Sequence, residues 1–165
     1  MKKIQNSYKK SGVNISVANK FVNHIAKITN KNVKKTDKSF NSSNIGAFGS
    51  VFDISNIKIE DPVIVSCTDG VGTKIDLTNK FNKFDTIGVD LVAMWVNDLI
   101  VQGAKPLFFL DYIAVGKLNL DKTKKILKGI LKGCKISDCK LIGGETAEMP
   151  GVYTKDKFDL AGFSV

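Results

Sequence analysis

Three short stretches gather the residue types that handle charged ligands. TDGVGTK, Thr68 to Lys74, packs an acid, two glycines, two threonines and a lysine into seven residues. Glycines allow a ligand to approach the backbone closely, and consecutive amides can form an anion nest. The order is not that of a P-loop, in which Gly-Lys-Ser/Thr opens a helix, and the third glycine of a dinucleotide fingerprint is absent. A tight polar turn with a solvated Lys74 remains open on residue types alone.

The second stretch is IGVDLVAMWVNDLIV, where Asp90 and Asn97 stand seven residues apart and so share a helix face, with Asp98 on its flank. Their neighbours are apolar almost all round, which predicts a largely buried helix. A buried carboxylate needs a metal ion, a lysine or helix amides to balance it. The third stretch is GGETAEMPG, with Glu145 and Glu148 after two glycines and before Pro150 and Gly151. Paired acids suit a hard cation or proton transfer, and a reverse turn with two surface glutamates is the alternative. Together with the glycine-containing IGAFGS at Ile45 to Ser50, these clusters fit a nucleotide held by magnesium.

These stretches need a scaffold. Ser16 to Thr29 reads as a helix with Ser16 as N-cap, and a basic, polar loop follows. Ile45 to Ile54 approaches a strand, Pro62 to Cys67 reads as an apolar strand, and Thr68 to Lys74 then lies at its C-terminal end. A helix from about Thr86 to Gln102 is stopped by Gly103, and the strand LFFLDYIAV follows. Asp121 is the expected cap of the helix DKTKKILKGILKGCKI. Lys140 to Ile142 is a short strand running into GGETAEMPG, and FDLAGFSV is the last strand. The order β, β, α, β, α, β, β predicts an α+β (α/β layered) fold, a mixed sheet covered by helices.

Composition narrows the function classes. The 165 residues suffice for one core without disulfides or metal, and 43% hydrophobic content is ordinary for a globular domain. No apolar run is long enough to span a bilayer, and the lysines of MKKIQNSYKK lack a following apolar stretch, so neither membrane insertion nor export is expected. Cys67, Cys134 and Cys139 form no CxxC and His24 is the single histidine, which fits reduced thiols in a cytoplasm. The net charge of +9 comes from 25 lysines without one arginine, and no aromatic ladder accompanies them. Nucleic-acid binding is therefore not expected; a compositional drift towards Lys, Asn and Ile explains the charge at least as well, and an anionic small substrate would also suit it.

Three long runs carry a resemblance: TDGVGTK, DTIGVDLVAMWVNDLIVQGAKPLFFLDYIAVGKL and GGETAEMPGVY. They resemble the signature segments of the aminoimidazole ribonucleotide synthetase (phosphoribosylformylglycinamidine cyclo-ligase) family, and the likeness runs from SYKKSGVNI, Ser7 to Ile15, to Val165. It implies an ATP- and magnesium-dependent enzyme of purine synthesis that closes the imidazole ring of formylglycinamidine ribonucleotide. In that family the substrate amide oxygen is phosphorylated, the amine attacks the activated carbon, and phosphate leaves. The resemblance implies an N-terminal domain that pairs with its twin in a homodimer, the sheets closing a barrel, and a C-terminal domain that completes the ATP cleft. It divides the chain into a helix and basic segment, 1–45, and a synthetase-like domain, 46–165. A chain that stops inside its last strand is expected to lack that second domain.

Residue by residue, the likeness assigns Asp69, Asp98 and Glu145 to magnesium. It points Thr68, Thr73 and Lys74 at phosphates, with amides from Gly70 and Gly72 and a phosphate-covering loop containing Gly46 and Gly49. Asp90, Asn97 and Glu148, with Lys74, are assigned to catalysis or substrate support. The sequence departs from the family at SNIGAFGSV, where Ser43, Asn44, Ala47 and Ser50 replace glycine or its small neighbour, and at Trp95, where a cysteine is common. Another ATP-dependent kinase or synthetase of the superfamily, or a non-catalytic nucleotide-binding or dimer-forming fragment, are the alternatives.

Overall fold

A computed structural model describes residues 7–32, 49–55 and 57–165. Its elements are α1 (Ile15–Asn32), β1 (Cys67–Gly70), α2 (Lys74–Lys80), α3 (Ile87–Val101), β2 (Phe108–Val115), α4 (Leu120–Ile136), β3 (Lys140–Glu148) and β4 (Phe158–Ser164). The four strands form one mixed sheet in the order β1-β4-β2-β3. β4 runs antiparallel to both β1 and β2, and β3 is parallel to β2 across the α4 crossover. The expected mixed sheet covered by helices is therefore present.

Strand alternation divides the sheet into two faces. Phe109, Ile113 and Leu160 are fully buried with Leu91, Trp95, Leu127 and Ile130 of α3 and α4, so this face carries the helices. Each such side chain contributes about 1.5–3 kcal/mol through burial. Phe21 of α1 belongs to the same core. On the other face Tyr112 is 38% exposed.

α3 and α4 approach closely because glycines meet at their crossing. A Cβ on Gly88 would overlap the Ile126 carbonyl oxygen and the Ile130 amide nitrogen, and one on Gly129 would stand 2.7 Å from the Asp85 carbonyl oxygen. Close packing of this kind leaves no slack for a methyl group.

Several boundaries differ from expectation. Asn14, not Ser16, caps α1, its side chain accepting from the Val17 amide at 3.3 Å. Asn119, not Asp121, caps α4; its Oδ1 accepts from the amides of Asp121 and Lys122, both at 3.1 Å. An Asx side chain one residue outside the helix is placed to reach the free amides, and Asp121 falls in the first turn, where its charge suits the helix dipole. The strand expected at Pro62 to Cys67 is displaced to Cys67–Gly70, and Val63 and Ile64 are 85% and 75% exposed.

β3 continues through Gly143, Gly144 and Glu145 to Glu148, past the end expected at Ile142. The unforeseen α2 begins at Lys74, so the glycine turn does open a helix. α3 is not buried all round: Ile100 and Val101 are exposed, as are Asn97 and Asp98, and Asp90 is half-buried. One side of α3 faces the sheet and α4 while the other side meets solvent. Of Ile45 to Ile54, residues 45–48 lie outside the described residues, and 49–54 form no named strand.

Candidate active site

TDGVGTK spans the end of β1, a three-residue turn and the start of α2. Thr68 donates its hydroxyl to the Gly162 carbonyl at 2.8 Å, which fixes β1 to β4. Asp69 is exposed, and its Oδ1 accepts the Gly70 amide at 2.7 Å, which leaves the second oxygen free of that bond. The Val71 amide joins the Leu160 carbonyl at 2.9 Å, and Gly72 takes φ +73, a left-handed conformation that glycine adopts without strain. Thr73 is exposed and makes no side-chain cap bond.

Lys74 reaches back to Asp90 on α3, with Nζ 3.2 Å from Oδ1. Both side chains are substantially exposed, at 51% and 39%. An exposed pair of this kind is worth about 0–1 kcal/mol, so Lys74 can leave Asp90 for an anion at little cost. The balancing partner of Asp90 is thus a lysine, one of the alternatives the sequence left open.

Asp98, further along α3, lies near enough to Cys67 for its charge to raise that thiol, after the larger effect of burial. Cys67 and Asp69 share the helix face of β1, and the Cys67 thiol donates to the Trp95 carbonyl at 3.5 Å. Asp69 and Asp98 are thereby brought to the same side of the sheet. Glu145 pairs with Tyr112 in register and lies on the opposite face. Among the described residues no cluster of three metal-ligating side chains occurs.

Glu148 holds the backbone: its Oε2 accepts the Asn14 amide and its Oε1 the Leu118 amide, both at 2.8 Å. It ties the entry of α1 and the β2–α4 loop to the end of β3. Gly46 lies outside the described residues. Gly49 has open space around it, and Ser50 donates to the Ile142 carbonyl at 2.8 Å, anchoring this residue to β3. A Cβ on Gly143 would overlap the Ser50 hydroxyl, so the serine occupies room that the glycine provides.

One acid carries no motif in the sequence. Asp111 lies on the helix face of β2, in the row Asp69, Gly162, Asp111, Gly144 that crosses all four strands. A Cβ on Gly144 would overlap the Asp111 carboxylate, and one on Gly162 would stand 2.5 Å from Trp95 Nε1. Trp95 is buried in this layer and its Nε1 has no partner among the described residues. The signal was in LFFLDYIAV, where Asp111 occupies an inward position alternating with Phe109 and Ile113.

Burial pushes Asp111 up to about 7; its own amide opposes the shift and the charge of Glu145 adds to it. A carboxyl with a raised folded pKa keeps its proton longer folded than unfolded. Its penalty is therefore absent in acid, below the ordinary carboxylate pKa, and grows until pH passes about 7. Wild type is expected to lose a few kcal/mol between pH 5 and pH 8 that Asp111→Asn does not lose. Denaturant titrations at both pH values test this, and parallel pH dependences would contradict it.

Residues 51–165 match the family described as AIR synthase related protein, N-terminal domain. The chain belongs to this family. Named phosphoribosylformylglycinamidine cyclo-ligases are similar to it along nearly its whole length. That of Syntrophus aciditrophicus is 52% identical over 161 residues, 98% of this chain and 45% of the relative. That of Trichlorobacter lovleyi is 50% identical over 165 residues, 100% of this chain and 46% of the relative. The chain thus spans a little under half the length of these curated relatives.

Among solved structures, the E. coli hydrogenase maturation protein HypE superposes with a TM-score of 0.63 at 14% identity, over 89% of this chain and 42% of its own. HypE in complex with ATP gives 0.52 at 15% identity, over 78% and 35%. AaThiL complexed with AMPPCP and TMP gives 0.51 at 17% identity, over 60% and 30%. At these identities the likeness shows the fold of the AIR synthase related N-terminal domain and nothing finer.

Proposed function

We propose that this chain is the nucleotide-binding part of a phosphoribosylformylglycinamidine cyclo-ligase, which closes the ring of formylglycinamidine ribonucleotide with conversion of ATP to ADP and phosphate. The observation that carries the reading is about 50% identity to named cyclo-ligases along nearly the whole chain. The geometry of TDGVGTK supports it: an exposed carboxylate, a left-handed glycine and an exposed lysine follow one another along a single strand-turn-helix unit. HypE and AaThiL, which share the fold, have been captured with ATP and AMPPCP.

Asp69 and Asp98 are hard oxygen donors on one side of the sheet and fit magnesium, which takes one or two carboxylates and completes its shell with water and phosphate oxygens. Glu145, on the other face, would join them through a ligand or a second ion. When bound, the ion neutralises phosphate charge. Lys74 swings from Asp90 to a phosphate oxygen, the Thr73 hydroxyl and the Gly72 amide donate beside it, and Thr68 holds β1 in place. Gly46 and Gly49 belong to a loop over the phosphates. Asp90 and Asn97 line the same helix face towards the substrate, and Glu148 positions the surrounding loops.

Phosphorylation turns the amide oxygen into a leaving group, so the chain's task is to hold the phosphoryl donor and the substrate oxygen in line. The reading includes a homodimer closed through the sheets into a barrel, for which exposed Val63 and Ile64 beside β1 offer apolar surface. It also includes a cytoplasmic setting, and no helix among the described residues is long and apolar enough to cross a membrane. Calorimetric titration of the full-length protein with ATP tests the binding step. Saturable heat that requires magnesium is expected; absence of heat with magnesium present would contradict it.

A further inference from the structure

A pocket of about 160 Å³ lies apart from TDGVGTK, between the β2–α4 loop and the loop leading into β4. It is far larger than the roughly 10–15 Å³ that a single water needs. Its floor is apolar, formed by Phe84, Leu118, Ile126 and Phe158, with the two phenyl rings 6.0 Å apart. Its rim carries Lys117, Lys122, Lys155 and Lys157 against one acid, Asp156.

The rim is already in place. The Gly116 amide donates to the Lys157 carbonyl at 3.1 Å, and the Lys157 amide to the Thr154 carbonyl at 3.0 Å, so the two lysine-bearing loops are bonded together. A Cβ on Gly116 would overlap the Thr154 carbonyl, so the loops are pressed as close as backbone allows. Glu148 fixes Leu118 through its amide. Lys122 lies over the Phe84 ring at 5.0 Å, and Lys157 is paired with Asp76 at 2.6 Å. Lys117 and Lys155 have no ion-pair partner among the described residues.

We propose that this pocket binds a phosphate monoester, its dianion held by Lys117 and Lys155 and its carbon part resting on the Phe84 and Phe158 floor. The cationic rim selects a multiply charged head, because Asp156 on the rim and Asp76 on Lys157 offset only two of the four ammonium groups. The aromatic floor favours an ester over the free ion, since inorganic phosphate would leave it uncovered. The site goes beyond the ATP reading and does not depend on it.

Phenyl phosphate and inorganic phosphate are the probes, titrated into the full-length protein by calorimetry. Phenyl phosphate is expected to bind more tightly than inorganic phosphate, and the Lys117→Ala/Lys155→Ala double variant to bind it at least about tenfold more weakly with an unchanged melting temperature. Lys74→Ala is expected to leave phenyl phosphate binding intact, which separates this pocket from the ATP turn. No binding of either probe, unchanged affinity in the double variant, or loss of binding in Lys74→Ala alone would each overturn the proposal. Competition by formylglycinamidine ribonucleotide identifies the source: displacement assigns the pocket to the substrate's phosphate, and no displacement assigns it to another phosphorylated metabolite, the site standing in both cases.

Discussion

Asp69→Asn in the full-length protein is expected to lower ATP-dependent turnover by about 10²–10³-fold while the melting temperature hardly moves. The carboxylate is exposed, and its Oδ1 accepts the Gly70 amide, a bond that an asparagine oxygen reproduces. Folding therefore keeps the local bond. What disappears is the negative charge that a magnesium-bound phosphate chain would meet. Steady-state kinetics across a magnesium series, alongside melting curves, check this. Full activity in the variant would remove Asp69 from the site, and a collapse of stability would make it a structural residue.

Gly88→Ala carries the largest expected effect on stability, a loss of more than about 3 kcal/mol. The added methyl would meet backbone atoms of α4 at Ile126, Gly129 and Ile130, none of which can rotate away as a side chain does. α3 would have to move outward, taking Leu91 and Trp95 from the sheet. Gly103 makes the contrast: it has φ +77 but open space around it, so Gly103→Ala should cost about 1–2 kcal/mol through backbone strain alone. Denaturant unfolding of both variants distinguishes steric overlap from strain. Equal losses would mean that the α3–α4 crossing tolerates a methyl group.

The elements legible in the sequence are those with a complete local signal. α3, β2, α4 and β4 follow from helical spacing, alternation and the Gly103 stop, and the acid, glycines and lysine of TDGVGTK mark that turn by type alone. Other features depend on neighbours distant in sequence. Gly143 and Gly144 look like a turn, yet they continue β3 because Ser50 and the Asp111 carboxylate need the space a side chain would take. Pro62 to Ser66 is apolar enough for a strand but gains no strand partner within the described sheet. α2 is only seven residues long and follows two glycines, so its spacing carries little information.

The site was legible in residue type more than in arrangement. The sequence could not reveal that Lys74 meets Asp90, because the contact joins the start of α2 to the first turn of α3. Nor could it place Asp69 and Glu145 on opposite faces, since that depends on strand register, and a shift of one residue would reverse it. Asp111 was hidden by its apolar neighbours. Glu148 reads as chemistry in the sequence, and the geometry gives it two backbone amides to hold.

The central claim is tested most directly by incubating the full-length protein with ATP, magnesium and formylglycinamidine ribonucleotide and measuring ADP together with the ring-closed product. The account predicts ADP and aminoimidazole ribonucleotide in equal amounts, both dependent on the substrate and on magnesium. A folded, full-length protein that releases no substrate-dependent ADP would contradict it.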